Sequence, residues 1–230
     1  MRNSILGLSS NQLKIIAVIT MTIDHIGLYL FPSNLVLRMI GRIAFPIFAF
    51  TFAEGCKYTK NRTRHLLVLA AVALLCQVVY TYTMKSYYQN ILVTLSLSAI
   101  LIYAYDFAKK TDSFLGYAVA ILALLWAFYI CFYLPPIIGK GFDIDYGFYG
   151  VILPLLVYAG KTKQEKVFLL TLGLLLLAPT VGEIQLYSLL SVPLIALYSG
   201  RRGKWRMKYF FYVFYPIHLV IIYMIGKFLA

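Results

Sequence analysis

The chain has 230 residues, of which 62% are hydrophobic and 13% charged, against about 25% charge in an ordinary soluble domain. That composition excludes a water-soluble globular protein and assigns the chain to a lipid bilayer. Its 21 Lys and Arg stand against 8 Asp and Glu, an excess of +13 that in a soluble protein points to nucleic acid and in a membrane protein has a rival explanation in topology. Cys56, Cys76 and Cys131 show no paired spacing, so they read as apolar packing residues rather than a disulfide framework or a CxxC motif. The opening MRNSILGLSSNQLK has no small-residue cleavage site, and the first apolar run is expected to stay as a helix.

A spanning helix needs about 20 mostly apolar residues. Runs of that kind, cut by Pro, Gly and Lys/Arg clusters, fall at 13–31, 35–54, 65–84, 91–107, 114–134, 144–159, 166–179, 181–199 and 209–229. The expected fold is all-α, a polytopic integral membrane helical bundle of about nine transmembrane helices. No linker, low-complexity tract or internal repeat interrupts it, so 1–230 is expected to be a single domain. The sixth and seventh runs are short and contain Pro154 and Pro179, which makes 144–159 or 166–179 a candidate re-entrant element.

Loop charges set the orientation, because short cytoplasmic loops carry the Lys/Arg excess. With the N-terminus cytoplasmic, the inner connections hold Arg2 and Lys14; Lys57, Lys60, Arg62 and Arg64; Lys109 and Lys110; Lys161, Lys163 and Lys166; and Arg201, Arg202, Lys204, Arg206 and Lys208. The outer side holds Lys85, Lys140 and Lys227. Sixteen against three favours a cytoplasmic N-terminus and a multi-pass protein of the cytoplasmic membrane, and nucleic acid is no longer needed to explain the charge. Tyr80, Tyr82, Tyr87, Tyr88, Tyr129 and Tyr133 suit an interfacial belt.

Ionisable groups inside apolar runs are the informative residues, since a charge at mid-bilayer costs at least roughly 2.5–3.5 kcal/mol. The first run carries Asp24 and His25, with His25 roughly 18 Å into a core about 30 Å thick. The second run, returning through the FPSN turn, carries Arg38 and Arg42, four apart on one helical face. Arg42 falls roughly 10 Å and His25 about 9 Å below the outer surface, one shared level. Adjacent helical positions diverge by about 100°, so Asp24 is expected to hold an arginine rather than orient His25. Thr22 and Tyr29, one turn away, are the candidates for fixing the His25 tautomer. His218, after Pro216 in the last run, lies roughly 14 Å inside its cytoplasmic end and competes with a reading as a packed histidine. Glu54 ends the second run, where a solvated carboxylate is the plain reading. Gln77 and Glu183 fit either an interior or an interface, and His65 is expected to be solvated. The chain has no HExxH, paired His at i,i+4 or Cys/His cluster, so no metal is expected. A Walker loop, GxGxxG and GxSxG are absent as well.

LKIIAVITMTIDHIG (13–27), RIAFPIFAF (42–50) with the following EG, and YPIHL in the last run together resemble the TraX family, named for the conjugation protein that acetylates the N-terminus of F-type pilin. The resemblance covers most of the chain. More distantly the same opening resembles membrane acyltransferases that modify surface glycans, in which a histidine of an early helix is considered catalytic and acyl-CoA is the usual donor; the position matching it is His25. The resemblance implies a membrane-embedded acetyltransferase, with His25 as general base or transient acetyl carrier and Asp24 beside it. It further implies cytosolic acetyl-CoA as co-substrate, and a pilin-like protein N-terminal amine or an exported cell-envelope molecule as acceptor. Arg38, Arg42, Glu54, Arg62, Arg64, Arg201, Arg202, Lys204 and His218 are the candidates for donor and substrate binding, the basic loops at 57–64 and 201–208 facing the donor's phosphates. Two other readings stay open: a proton- or anion-coupled transporter built on the buried charges, and a non-catalytic assembly protein.

Overall fold

In a computed structural model, which describes residues 7–204 and 208–229, the first apolar run forms α1 (Ser10–Tyr29). It begins at a capping box: the Ser9 hydroxyl accepts from the Gln12 N–H while Gln12 Oε1 accepts from the Ser9 N–H at 2.8 Å. A turn over residues 30–34 leads to α2 (Leu35–Gly41), whose N-cap Asn34 accepts from the Val36 N–H.

The continuous second helix expected from hydropathy is broken. After α2 the chain makes a turn at Arg42 and Ile43 and restarts as α3 (Ala44–Lys57). Pro46 gives the reason: it has no N–H to donate to a carbonyl at 42, and as the third residue of a new helix it needs none. Arg42 therefore caps α2.

Helices α4 (Arg62–Met84), α5 (Ile91–Thr111) and α6 (Phe114–Phe132) follow the expected runs. A short α7 (Leu134–Ile138) precedes α8 (Gly147–Ala159), which has 13 residues, and α9 (Lys163–Val181), which has 19 and outruns its predicted segment. The eighth run changes backbone type part-way, from a 3-10 helix (Glu183–Leu190) to α10 (Ser191–Ala196). Pro193 removes an N–H from the i−4 ladder near that join. The last run is α11 (Lys208–Leu229), with Pro216 inside it. The described residues contain no strand, only the isolated bridges Leu8 to Tyr198 and Gln89 to Ile144. Arg2 and Arg206, together with the opening segment through Leu6, lie outside the described residues, as does the side chain of Lys208.

Five stretches are long and apolar enough to cross a membrane: Leu35–Lys57, Arg62–Thr83, Ile91–Thr111, Phe114–Phe132 and Lys163–Val181. Gly147–Ala159, Glu183–Ala196 and Val213–Phe228 are shorter apolar helices. Exposed Leu67, Leu74 and Leu75 on α4, and Leu115, Leu122 and Leu125 on α6, are the surface that hydrocarbon rather than water covers. The protein is an all-helical membrane protein. Tyr82, Tyr87, Tyr129 and Tyr133 are also exposed.

Two compact units divide the chain, one reaching Thr51 and resuming at Gly160, the other Phe52–Ala159. In the second, α5 packs on α4, α6 and α8 around Leu97, Leu101, Ala127, Cys131, Ile144 and Val151. Gln77 is resolved as structural there. Its Oε1 accepts from Asn90 at 2.9 Å and its Nε2 donates to the Tyr88 carbonyl at 2.9 Å, while Asn90 Nδ2 also donates to the Ala73 carbonyl. Tyr88 donates its hydroxyl to Asp145 at 3.0 Å, and burial beside that carboxylate raises its pKa. Cys56, Cys76 and Cys131 are free and buried, as packing residues should be.

In the first unit α1 and α2 lie against each other so closely that a methyl group on Gly41 would overlap the Asp24 side chain. The start of α1 is tied to the segment before α11 through the backbone: Leu8 N–H donates to the Leu197 carbonyl, Ser199 N–H to Leu8, Ser10 N–H to Arg201 and Asn11 N–H to Arg202, at 2.8–3.1 Å. Gly203 (φ +97°) permits this approach, because a side chain there would strike Asn11.

Candidate functional site

The close α1–α2 contact brings the charged residues of the first two runs together. Asp24 accepts from Arg38 Nη1 at 2.6 Å, and from Arg42 Nη2 at 2.6 Å through Oδ1 and 2.7 Å through Oδ2. Arg42 also donates Nε to the Arg38 carbonyl and Nη1 to Gln185 Oε1 at 3.4 Å. Asp24 and Arg42 are buried, and Arg38 is mostly so. Arg42 Nη2 bridges both carboxylate oxygens while Arg38 Nη1 adds a third bond, so the buried carboxylate is fully engaged by charge-assisted donors.

His25, the next residue, faces elsewhere. Its Nδ1 lies 2.7 Å from Nε2 of His218 on α11, the rings stacked with centroids 4.9 Å apart. His218 is buried, stacked on Phe214, and its Nδ1 lies 3.0 Å from the Phe214 carbonyl oxygen. A carbonyl only accepts, so His218 carries its proton on Nδ1. In a neutral ring Nε2 is then a lone pair, and His25 Nδ1 must be the donor to it. By the same rule His25 Nε2 is the unprotonated nitrogen of the pair. Thr22 does not fix this tautomer, since its hydroxyl donates to the Val18 carbonyl, and the Tyr29 ring stands 6.1 Å from that of His25. The expectation that Thr22 or Tyr29 orients His25 is corrected: the partner comes from the other end of the chain.

The remaining candidates are more scattered. Glu54, read as a solvated helix end, is buried in α3 because that helix continues to Lys57. Arg62 pairs with Asp106 and lies over the Tyr103 ring at 4.9 Å. His65, expected to be solvated, is half-buried, with Nδ1 2.7 Å from the Tyr103 hydroxyl. Arg64 is exposed. Arg201, Arg202 and Lys204 are exposed as well, on the segment tied to the start of α1. Glu183 is exposed at the start of the 3-10 helix. Among the described residues no three His, Cys, Asp or Glu side chains converge as a metal-binding group.

Sequence reasoning missed Gln185. It is fully buried, and so are Ser188 and Ser191. The three polar residues recur at intervals of three through an apolar segment. That spacing keeps one face in a 3-10 helix, whereas in an α-helix each step of three drifts by about 60°.

A model of the TraX protein family matches residues 9–226. The chain belongs to the TraX family. The matched region includes Asp24, His25, Arg38, Arg42, Gln185 and His218, so the whole constellation lies inside the TraX region. An uncharacterized protein of Rickettsia prowazekii (strain Madrid E) is 37% identical over 158 residues. That match covers 67% of this chain and 56% of the relative, so it spans little more than half of that protein's length. The probable fimbrial assembly protein FimC, serogroup H1, of Dichelobacter nodosus is 28% identical, over 93% of this chain and 94% of its own. No solved structure matches the chain.

Proposed function

We propose that this TraX-family protein is an acetyltransferase of the cytoplasmic membrane. It takes the acetyl group of cytosolic acetyl-CoA and passes it to an amine or hydroxyl of an acceptor, either a pilin-like protein N-terminus or an exported envelope molecule. The single observation that carries the reading is the His25–His218 pair, which leaves a bare imidazole nitrogen, Nε2 of His25, in an apolar helix next to a two-arginine ion pair. Such a nitrogen is a general base. His25 Nε2 takes the acceptor's proton as the acceptor nitrogen or oxygen bonds to the thioester carbon. The C–S bond then breaks, and the proton passes from His25 to the departing thiolate. As His25 becomes imidazolium its Nδ1–H stays on His218, which holds the ring in register much as the third member of a triad does.

Asp24 does not touch His25 through a hydrogen bond; it anchors Arg38 and Arg42. Exposed Arg201, Arg202 and Lys204 are suited to the donor's phosphates. Their segment is fixed at the start of α1, about 22 Å of helix rise before His25, and CoA itself separates phosphates from thioester by a long flexible arm. The fimbrial assembly name of the Dichelobacter relative supports an acceptor among pilus or surface components.

The test is transfer from radiolabelled acetyl-CoA by the purified protein in nanodiscs, with surface proteins and glycans from producing and deleted cells compared by mass spectrometry. Replacing His25 by Ala should cost at least about 100-fold in kcat. Full transfer by that variant at normal expression overturns the mechanism.

A further inference from the structure

The 3-10 helix Glu183–Leu190 turns once every three residues, so Gln185 and Ser188 stand one above the other on its buried face. Neither exposes any surface. Gln185 Oε1 is engaged by Arg42 Nη1, and this fixes the amide: turned over, its Nε2 would meet the guanidinium donor to donor. The two Nε2 hydrogens therefore point away from Arg42. Among the described residues Gln185 Nε2 and Ser188 Oγ have no hydrogen-bond partner. Buried donors without acceptors are costly, and more so where no water surrounds the chain. Ser191, one turn on, shows the contrast: its hydroxyl donates to the Ser188 carbonyl at 2.6 Å.

An amide N–H and a hydroxyl are both able to donate to the same oxygen. Next to Gln185 two guanidiniums meet one carboxylate, a field that favours an oxygen gaining negative charge. We propose that Gln185 Nε2 and Ser188 Oγ form the carbonyl-binding site of the acyl transfer. They receive the thioester oxygen and stabilise it as the acceptor adds to the carbonyl carbon and the C=O pair moves onto oxygen; the pair returns as the C–S bond breaks and the thiolate leaves with the proton from His25. The assignment rests on the acetyl-transfer reading above and adds the two residues that act on the acyl group itself.

The experiment measures thermal midpoint, KM for acetyl-CoA and kcat for the full chain in nanodiscs, for wild type, Ser188→Ala, Gln185→Glu and Ser191→Ala. Gln185→Glu keeps an acceptor for Arg42 while removing both N–H donors. Ser188→Ala is expected to leave the midpoint unchanged or raised, because it deletes a hydroxyl that holds nothing in the resting protein, and to lower kcat on the order of 100-fold with KM little changed. Gln185→Glu should fold and lose more, since its charge repels the oxyanion. Ser191→Ala should lose stability and keep kcat. A Ser188→Ala midpoint that falls as Ser191→Ala does means that a structural water holds the hydroxyl, and the site is overturned. Unchanged kcat in Ser188→Ala or Gln185→Glu overturns it too, while the acetyl-transfer reading survives. Wild type that transfers nothing sinks that reading and the site together, so the two failures are distinct.

Discussion

Asp24 and His25 are consecutive, yet one binds two arginines of α2 and its cap while the other meets a histidine of α11. The divergence of about 100° per helical residue dictates this split, and it separates the ion pair from the imidazole pair. Legibility follows the same division. Asp24, His25 and Arg42 stand out in the sequence because ionisable residues are expensive in apolar runs, and the Asp24–arginine pairing follows from a short turn between neighbouring helices. The His25–His218 contact joins residues 193 apart and has no local signature. Gln185 escapes because it carries no charge to single it out and its partner Arg42 lies 143 residues away. The tautomer assignment is open to direct observation, as the chain holds only three histidines. Two-dimensional 15N spectra of histidine-labelled protein at neutral pH should show His25 and His218 protonated on Nδ1 and bare at Nε2, reversing the preference of free imidazole. His25 protonated on Nε2 would refute the assignment.

At the scale of elements, the site depends on how near α1 and α2 approach. Gly41 is the contact that permits it, since any side chain there occupies the space of the Asp24 carboxylate. Gly41→Ala should destabilise the protein by about 1–3 kcal/mol through overpacking and lower transfer as the Arg42–Asp24 bonds stretch; a thermal midpoint equal to wild type would contradict the close packing. The nine expected spans meet five stretches long and apolar enough to cross a membrane among the described residues, but helix order was largely readable from hydropathy. The turn at Arg42 and Ile43 and the 3-10 stretch were not, because a hydropathy average counts side chains and is blind to the missing N–H of Pro46 and Pro193. Both irregular places border the ion pair: Arg42 caps α2 at the first, and Gln185 lies in the second.

For the molecule as a whole, the +13 charge predicts an orientation, with the Lys/Arg-rich connections on the cytoplasmic side. Single cysteines replacing Lys140, Lys163 and Arg201 report on it, since the native cysteines are buried and give little background. In intact cells a membrane-impermeant thiol reagent should label the cysteine at 140 and reach those at 163 and 201 only after the membrane is opened; labelling at 201 in intact cells would invert the topology. The His25–His218 link also imposes an order in time. Asp24, Arg38 and Arg42 leave the ribosome close together, and their ion pair needs nothing that comes later. His218 emerges 193 residues after His25, about 10–40 s of synthesis at ordinary rates. A nascent chain therefore has both partners of its ion pair long before it has the partner that sets the His25 tautomer, and a chain cut short before α11 never acquires that partner.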